Sequence, residues 1–201
     1  MAVTANLTTG QVLTASTVND YMINSGLVSI VPTSVTNGTV TSGQATVRVA
    51  GTASSVTING VFSSTFESYF IVCRLSFTGG DAYIQLTASG TPNTGSDYNW
   101  SMMQAYSGAG VSTLRTSSTT NLTMMANGNG VYQASTTDIM APQLAAPTMV
   151  ITQNLRNDGG YGTPANYLFY GNCSNSNQYD GIKITGGGNL TGTIAIYGRR
   201  V

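Results

Sequence analysis

Seven carboxylates, Asp20, Glu67, Asp81, Asp97, Asp138, Asp158 and Asp180, are the first residues to weigh for chemistry. Two carboxylates facing each other across one bond would serve glycoside hydrolysis, one as acid and the other as base or nucleophile. Nothing in their spacing pairs them. Each falls in or beside a turn, where a short acid accepts hydrogen bonds from backbone amides. The sequence contains no histidine, which removes the commonest general base, the usual triad partner and the commonest metal ligand together. Cys73 and Cys173, far apart in sequence, cannot make a zinc site alone. No run of alternating acids forms a calcium loop. Gly186-Gly-Gly188 lacks the lysine and the following helix of a phosphate-binding loop, so it reads as turn chemistry. The expectation is a protein without catalytic residues, metal or cofactor.

Aromatic residues are the remaining candidates for recognition. Tyr98, Trp100 and Tyr106 lie along one segment, and Tyr161, Tyr167, Tyr170 and Tyr179 flank Asn-rich loops. Exposed rings beside Asn and Asp stack on sugar rings and hydrogen-bond their hydroxyls. On that basis Tyr98, Trp100, Tyr106, Tyr161 and Tyr179 are the candidate sugar-binding set. The competing reading, and the favoured one, is packing in a core or a subunit interface, where aromatics dominate. Met102-Met103 and Met124-Met125 carry the same choice, since each pair puts one Met on each face of a strand.

The composition narrows the function classes. With 201 residues, 41% of them hydrophobic, the chain fits one core-bearing domain. Charged residues make up only 7%, seven of each sign, with one lysine among the cations; ordinary soluble domains carry roughly a quarter. A near-zero net charge favours association. A polar, hydrogen-bonding surface of this kind suits permanent assembly or contact with neutral sugars. Nucleic acid is excluded as a partner, because phosphate demands a basic stripe. Residues 1–16 show neither a basic start nor a long apolar core, so no secretory signal is expected, and no stretch approaches the length of a membrane span. The Asn-x-Ser/Thr matches are then read as chance. Cys73 sits on the apolar parity of a strand and reads as a small buried hydrophobe. Cys173, in an Asn/Ser run, reads as exposed, and a bridge between the two stays open.

The elements that would position these residues are mostly strands. One helix is expected over about residues 17–25: Thr17-Val-Asn-Asp20 is a weak capping box, Val18, Tyr21 and Met22 share a face, and Gly26 is a stop. So short a helix needs a docking partner. Residues 29–45 read as a linker or peripheral hairpin with turns at Pro32 and Asn37-Gly38. The division is therefore an N-terminal docking segment over 1–44 and a β-domain over 45–201. From Ala45 onward the pattern has period two. Tyr69, Ile71, Cys73, Leu75 and Phe77 lie on one parity. Gly79-Gly80-Asp81 then leads into Ala82, Ile84 and Leu86, the clearest hairpin signal in the chain. Further strands are expected near 100–106, 122–126, 149–152, 167–170, 182–185 and 193–197. About ten short strands with regular turns predict an all-β protein, a β-sandwich or jelly-roll-like domain with a short N-terminal helix.

Three segments resemble a known group. Gly10-Gln-Val-Leu-Thr-Ala-Ser-Thr-Val-Asn19 resembles the segment with which many tailed-bacteriophage minor tail and fibre proteins begin. Gly192-Thr-Ile-Ala-Ile-Tyr-Gly198 resembles their terminal strand. Phe66-Glu-Ser-Tyr-Phe-Ile-Val72 is similar to an early strand of their β-sandwich. The resemblance covers about a quarter of the chain, and its motifs are structural rather than catalytic. It implies a virion structural protein associated with tail or head, homo-oligomeric with a trimer favoured, docked on other virion proteins through Val18, Tyr21 and Met22. A carbohydrate-binding, receptor-binding module and a capsid decoration or cement protein are the alternatives. The chain has no collagen-like or coiled-coil shaft, which favours a compact knob over a long fibre.

Overall fold

The computed structural model describes residues 26–41, 45–106, 110–128, 130–158 and 163–199. The expected helix and its face of Val18, Tyr21 and Met22 lie outside the described residues. The described residues form sixteen strands in two antiparallel sheets. In chain order they are β1 (Leu27–Ser29), β2 (Ser34–Thr36), β3 (Thr39–Val40), β4 (Thr46–Ala50), β5 (Ser55–Asn59), β6 (Ser68–Ser76), β7 (Ala82–Ala88) and β8 (Thr91–Pro92). There follow β9 (Tyr98–Tyr106), β10 (Gly110–Thr119), β11 (Leu122–Met125), β12 (Gln133–Met140), β13 (Thr148–Asp158), β14 (Thr163–Cys173), β15 (Gly181–Thr185) and β16 (Thr191–Arg199). The large sheet runs β10-β9-β14-β13-β12-β6-β16-β4-β3, with β1 also on β16. The small sheet runs β11-β7-β15-β5-β2, with β8 on β7.

Period-two alternation explains how the sheets face each other. In β6, Tyr69, Ile71, Cys73 and Leu75 are buried while Val72 and Arg74 are exposed. In β16, Ile194 and Ile196 continue that face, opposite Cys73 and Ile71. Val56 and Ile58 of β5, Ile84 and Leu86 of β7 and Ile182 and Ile184 of β15 meet them from the small sheet in one apolar cluster. Burying each such side chain fully contributes about 1.5–3 kcal/mol, so this layer between the sheets holds the sandwich together.

Three expectations are corrected here. The segment from Tyr69 to Leu86 is no hairpin: β6 pairs with β12 and β16, and β7 with β11, β15 and β8. Both strands bury the same kind of apolar face, so the Gly79-Gly80 turn (φ +70° and +64°) arches the chain from one sheet to the other and sets those faces against each other. Periodicity reports which face is buried, not which strand is the neighbour. The second correction concerns residues 29–45 and the boundary at 44/45. Strands β1, β2 and β3 pair with β16, β5 and β4, so residues 27–40 belong to the sandwich. The Asn37-Gly38 turn, with Asn37 at φ 61°, crosses between the sheets and is held by an Asn37 Nδ2 hydrogen bond to the Ser55 carbonyl at 3.1 Å. The third correction is Asp138, which lies within β12 rather than at a turn.

Strand β12 escaped the periodicity reading because three of the four residues on its buried face, all but Ile139, are polar. Gln133, Ser135 and Thr137 are buried in the middle of the large sheet. The hydroxyls of Thr137 and Thr152 are 2.9 Å apart across β12 and β13, while Gln133 Nε2 donates to the Ala126 carbonyl at 3.1 Å. The Ala126 amide donates to Asn154 Oδ1, whose Nδ2 donates to the Ala134 carbonyl. Pairing offsets the cost of burying Thr137, Thr152, Asn154 and the Gln133 NH2 group, while Gln133 Oε1 is buried without a partner among the described residues. The same pairing also ties the segment after β11 down onto the large sheet. Gly171 makes the neighbouring contact possible: a Cβ there would stand 2.5 Å from Leu122 Cδ2 and 2.9 Å from the Asn99 carbonyl oxygen.

Candidate functional site

The ten strands of the large sheet present an exposed outer face. Side chains on the parity opposite the core point outward from β6, β12, β13, β14, β9 and β10 in register. One cross-strand row reads Val72, Thr136, Gln153, Leu168 and Met103. The next reads Arg74, Ala134, Leu155, Asn166, Ala105 and Val111. Between the two rows an open trough of ≈ 490 Å³ runs across the strands. Its walls are mainly apolar, with Val111 70%, Leu155 49% and Met103 47% exposed. Two of the arginines on this face are locally engaged. Arg199 contacts the Asp138 carboxylate at 3.0 Å and reaches over the Phe70 ring, and Arg74 stacks 4.0 Å from the centre of the Tyr132 ring.

Further along the same face lies a second depression of ≈ 460 Å³, lined by Tyr170, Asn99, Asn172, Arg115 and Met149, with Trp100 at its edge. Tyr170 is 44% exposed. Asn99 Nδ2 donates to Asn172 Oδ1 at 3.3 Å, and the Ser118 amide donates to Asn99 Oδ1 at 3.1 Å, which fixes the amide pair beside the ring. Ring, amides and a guanidinium on one shallow surface can bind a neutral polyhydroxyl group. Among the described residues no carboxylate lines either depression.

The sugar-binding set expected from sequence divides sharply. Tyr98 and Tyr179 are buried, at 0% and 2% exposure, so neither ring can stack on a sugar; this corrects that assignment. Both rings belong to the core cluster between the sheets, and their hydroxyls reach a polar knot at its end. Tyr98 accepts from the Leu86 amide at 3.0 Å, linking β9 of the large sheet to β7 of the small one. The Tyr179 hydroxyl donates to Asn175 Oδ1 at 2.8 Å and accepts from Asn93 Nδ2 at 3.1 Å. Cys173 is correspondingly buried rather than exposed, its Sγ 3.4 Å from the Tyr179 hydroxyl. Burial, with the Cys173 hydrogen bond second, pushes the Tyr179 phenol up to about 12; burial raises Tyr98 as well. Cys73 is buried as expected, its thiol pushed up to about 12 by burial, and both cysteines are free.

Trp100 is half-buried, its indole edge-on to Phe169 at 6.2 Å. Tyr106 ends β9, and Tyr161 lies outside the described residues. Three acids act as loop fasteners, Asp81 and Asp180 on backbone amides as the turn reading expected and Asp97 on side-chain amides instead. Asp81 Oδ1 accepts from the Asn127 amide, Asp180 Oδ1 from the Ser89 amide, and Asp97 Oδ2 from the side-chain amides of Asn93 and Asn175. The depression beside Tyr170 was not assembled from sequence, although its signal was present. Within residues 167–173, Tyr170 and Asn172 take the parity opposite to Tyr167 and Phe169, which are core.

Among the described residues no group of three or more His, Cys, Asp or Glu side chains is placed to hold a metal ion, and no helix is long and apolar enough to cross a membrane. The chain matches no protein-family model and no curated protein.

Proposed function

We propose that this chain is a non-enzymatic structural component of a bacteriophage particle, a compact tail- or head-associated module that binds its neighbours through the outer face of its large sheet. The observation that carries this reading is the uncharged, mainly apolar trough crossing β6 to β10. Exposed Val, Leu and Met side chains gathered along one trough, rather than scattered singly, are what a protein-contact surface presents. The charge-poor composition supports the same reading, since two such faces meet without burying unpaired ions. The resemblance of Phe66–Val72 and Gly192–Gly198 to tail-protein strands supplies the particle setting; Ile71 and Ile196 of these segments lie opposite each other in the sheet. Binding of purified protein to purified particles tests it. Leu155→Lys and Met103→Lys, both at exposed positions, should abolish co-sedimentation while leaving circular dichroism unchanged. Unimpaired co-sedimentation of both variants would remove the trough from the interface.

A second reading is favoured by the depression at Tyr170: adsorption to a neutral host glycan, a role compatible with the first. Glycan-array retention that is lost in Tyr170→Ala, and kept in Tyr98→Phe, supports it. Equal retention by wild type and Tyr170→Ala counts against it.

A further inference from the structure

Strand β10 forms one edge of the large sheet, and it differs from every other edge described. The opposite side of that sheet ends in β3 and β1, two and three residues long. The small sheet ends in β2 with three residues, and in β11, whose four residues are all buried. Short or covered edges are the ordinary protection against strand addition, together with lysine, proline and bulges. Strand β10 is ten residues long, Gly-Val-Ser-Thr-Leu-Arg-Thr-Ser-Ser-Thr, and exposed along nearly all of it. It holds no proline and no lysine, and Arg115 is its single charge. Its register shift lies between Thr116 and Thr119, so residues 110–116 pair regularly with β9 and present a straight ladder outward. Apolar side chains mark both of its faces: Val111 on the trough side and Leu114, 52% exposed, on the other.

We infer that β10 is a self-association edge, pairing antiparallel with β10 of a second copy of this chain so that two large sheets become one. An antiparallel strand edge is self-complementary about a two-fold axis, because each chain offers the same alternating N–H and C=O groups in opposite direction. The Thr/Ser/Val composition places no like charges directly opposite except through Arg115, and the chain's net charge is zero. Pairing covers Val111 and Leu114 and carries the trough, whose last wall is Val111, across the junction into the second copy. This deepens the assembly reading, on which it rests for its biological use but not for its test.

The test measures oligomeric state by light scattering and native mass spectrometry at micromolar concentration. Wild type should be an even-numbered oligomer, and Val111→Lys/Leu114→Lys should weaken self-association at least about tenfold through like-charge repulsion across the pair. Amide hydrogen exchange over residues 110–119 of wild type should slow as concentration rises. A monomeric wild type, a trimer indifferent to the lysines, or exchange in β10 independent of concentration would each overturn the inference. Particle binding is read separately. A monomeric wild type that still binds particles sinks the edge pairing alone, and an intact dimer that ignores particles sinks the particle reading alone.

Discussion

Replacing Tyr98 by Phe separates a structural tyrosine from a recognition residue. The phenol is buried, and its oxygen accepts from the Leu86 amide at 3.0 Å with a longer contact to the Asn93 carbonyl at 3.4 Å. The substitution keeps the ring and its packing but leaves the Leu86 N–H without its acceptor between the sheets. An orphaned buried donor costs about 1–3 kcal/mol. The weaker second contact adds little, so the middle of that range, about 2 kcal/mol, is the expectation. For a domain of this size roughly 2–4 °C of Tm accompany each kcal/mol, which gives about 4–8 °C. Urea unfolding should show a lower midpoint with an unchanged slope, since the exposed area on unfolding is the same. Particle and glycan binding should be those of wild type. A variant within about 0.5 kcal/mol of wild type, the range usual for surface changes, would refute the cross-sheet role. Loss of binding at full stability would return Tyr98 to the recognition surface.

Thr137→Val or Thr152→Val alone should destabilise by about 1–3 kcal/mol, because the remaining hydroxyl is buried without its 2.9 Å partner. The double variant should come close to wild type, and a double-mutant cycle by urea unfolding reads the coupling directly. Alkaline stability should fall through Cys73 and Tyr179. Both pKa values are raised on folding, so below the ordinary values, 9.0 for the thiol and 10.0 for the phenol, both states hold the proton and stability is unaffected. Above them the unfolded chain releases its protons first, and stability drains until the folded groups ionise near 12. For Cys73 the slope approaches about 1.4 kcal/mol per pH unit; Cys73→Ala should flatten the wild-type decline between pH 9 and 10 in unfolding titrations, and an unchanged slope would contradict the burial argument.

The sequence exposed the sandwich wherever one face of a strand is apolar. Val47/Val49, Val56/Ile58, Tyr69 to Leu75, Ile182/Ile184 and Ile194/Ile196 all lie on buried faces as their alternation predicts. Strand β12 stayed invisible because Gln133, Ser135 and Thr137 take three of the four places on its buried face beside Ile139, and Gln133 and Thr137 find their partners in the Ala126 segment and in β13. Strand β10 stayed invisible for the opposite reason: exposed on both faces, it has no burial to imprint an alternation. The pairing of β6 with β12 and β16 rather than β7 depends on contacts far apart in sequence, which local turn chemistry does not encode. At the candidate site, the Tyr170 and Asn172 parity could be read, but their neighbours Asn99 and Arg115 arrive through the β14-β9-β10 register.

The position of β16 bears on how the molecule comes into being. It is the last of the described strands to leave the ribosome, yet it lies between β6 and β4 in the large sheet. Until it arrives, β6 is open along the side that faces β16, and β4, β3 and β1 have no route into that sheet. Vectorial synthesis therefore yields a half-built sheet with an adhesive apolar flank, and closure waits on the longest-range contacts in the fold. Such topologies mature slowly and are prone to aggregate meanwhile. Yield in a living cell should depend on chaperones and temperature more steeply than the stability of the finished domain would suggest.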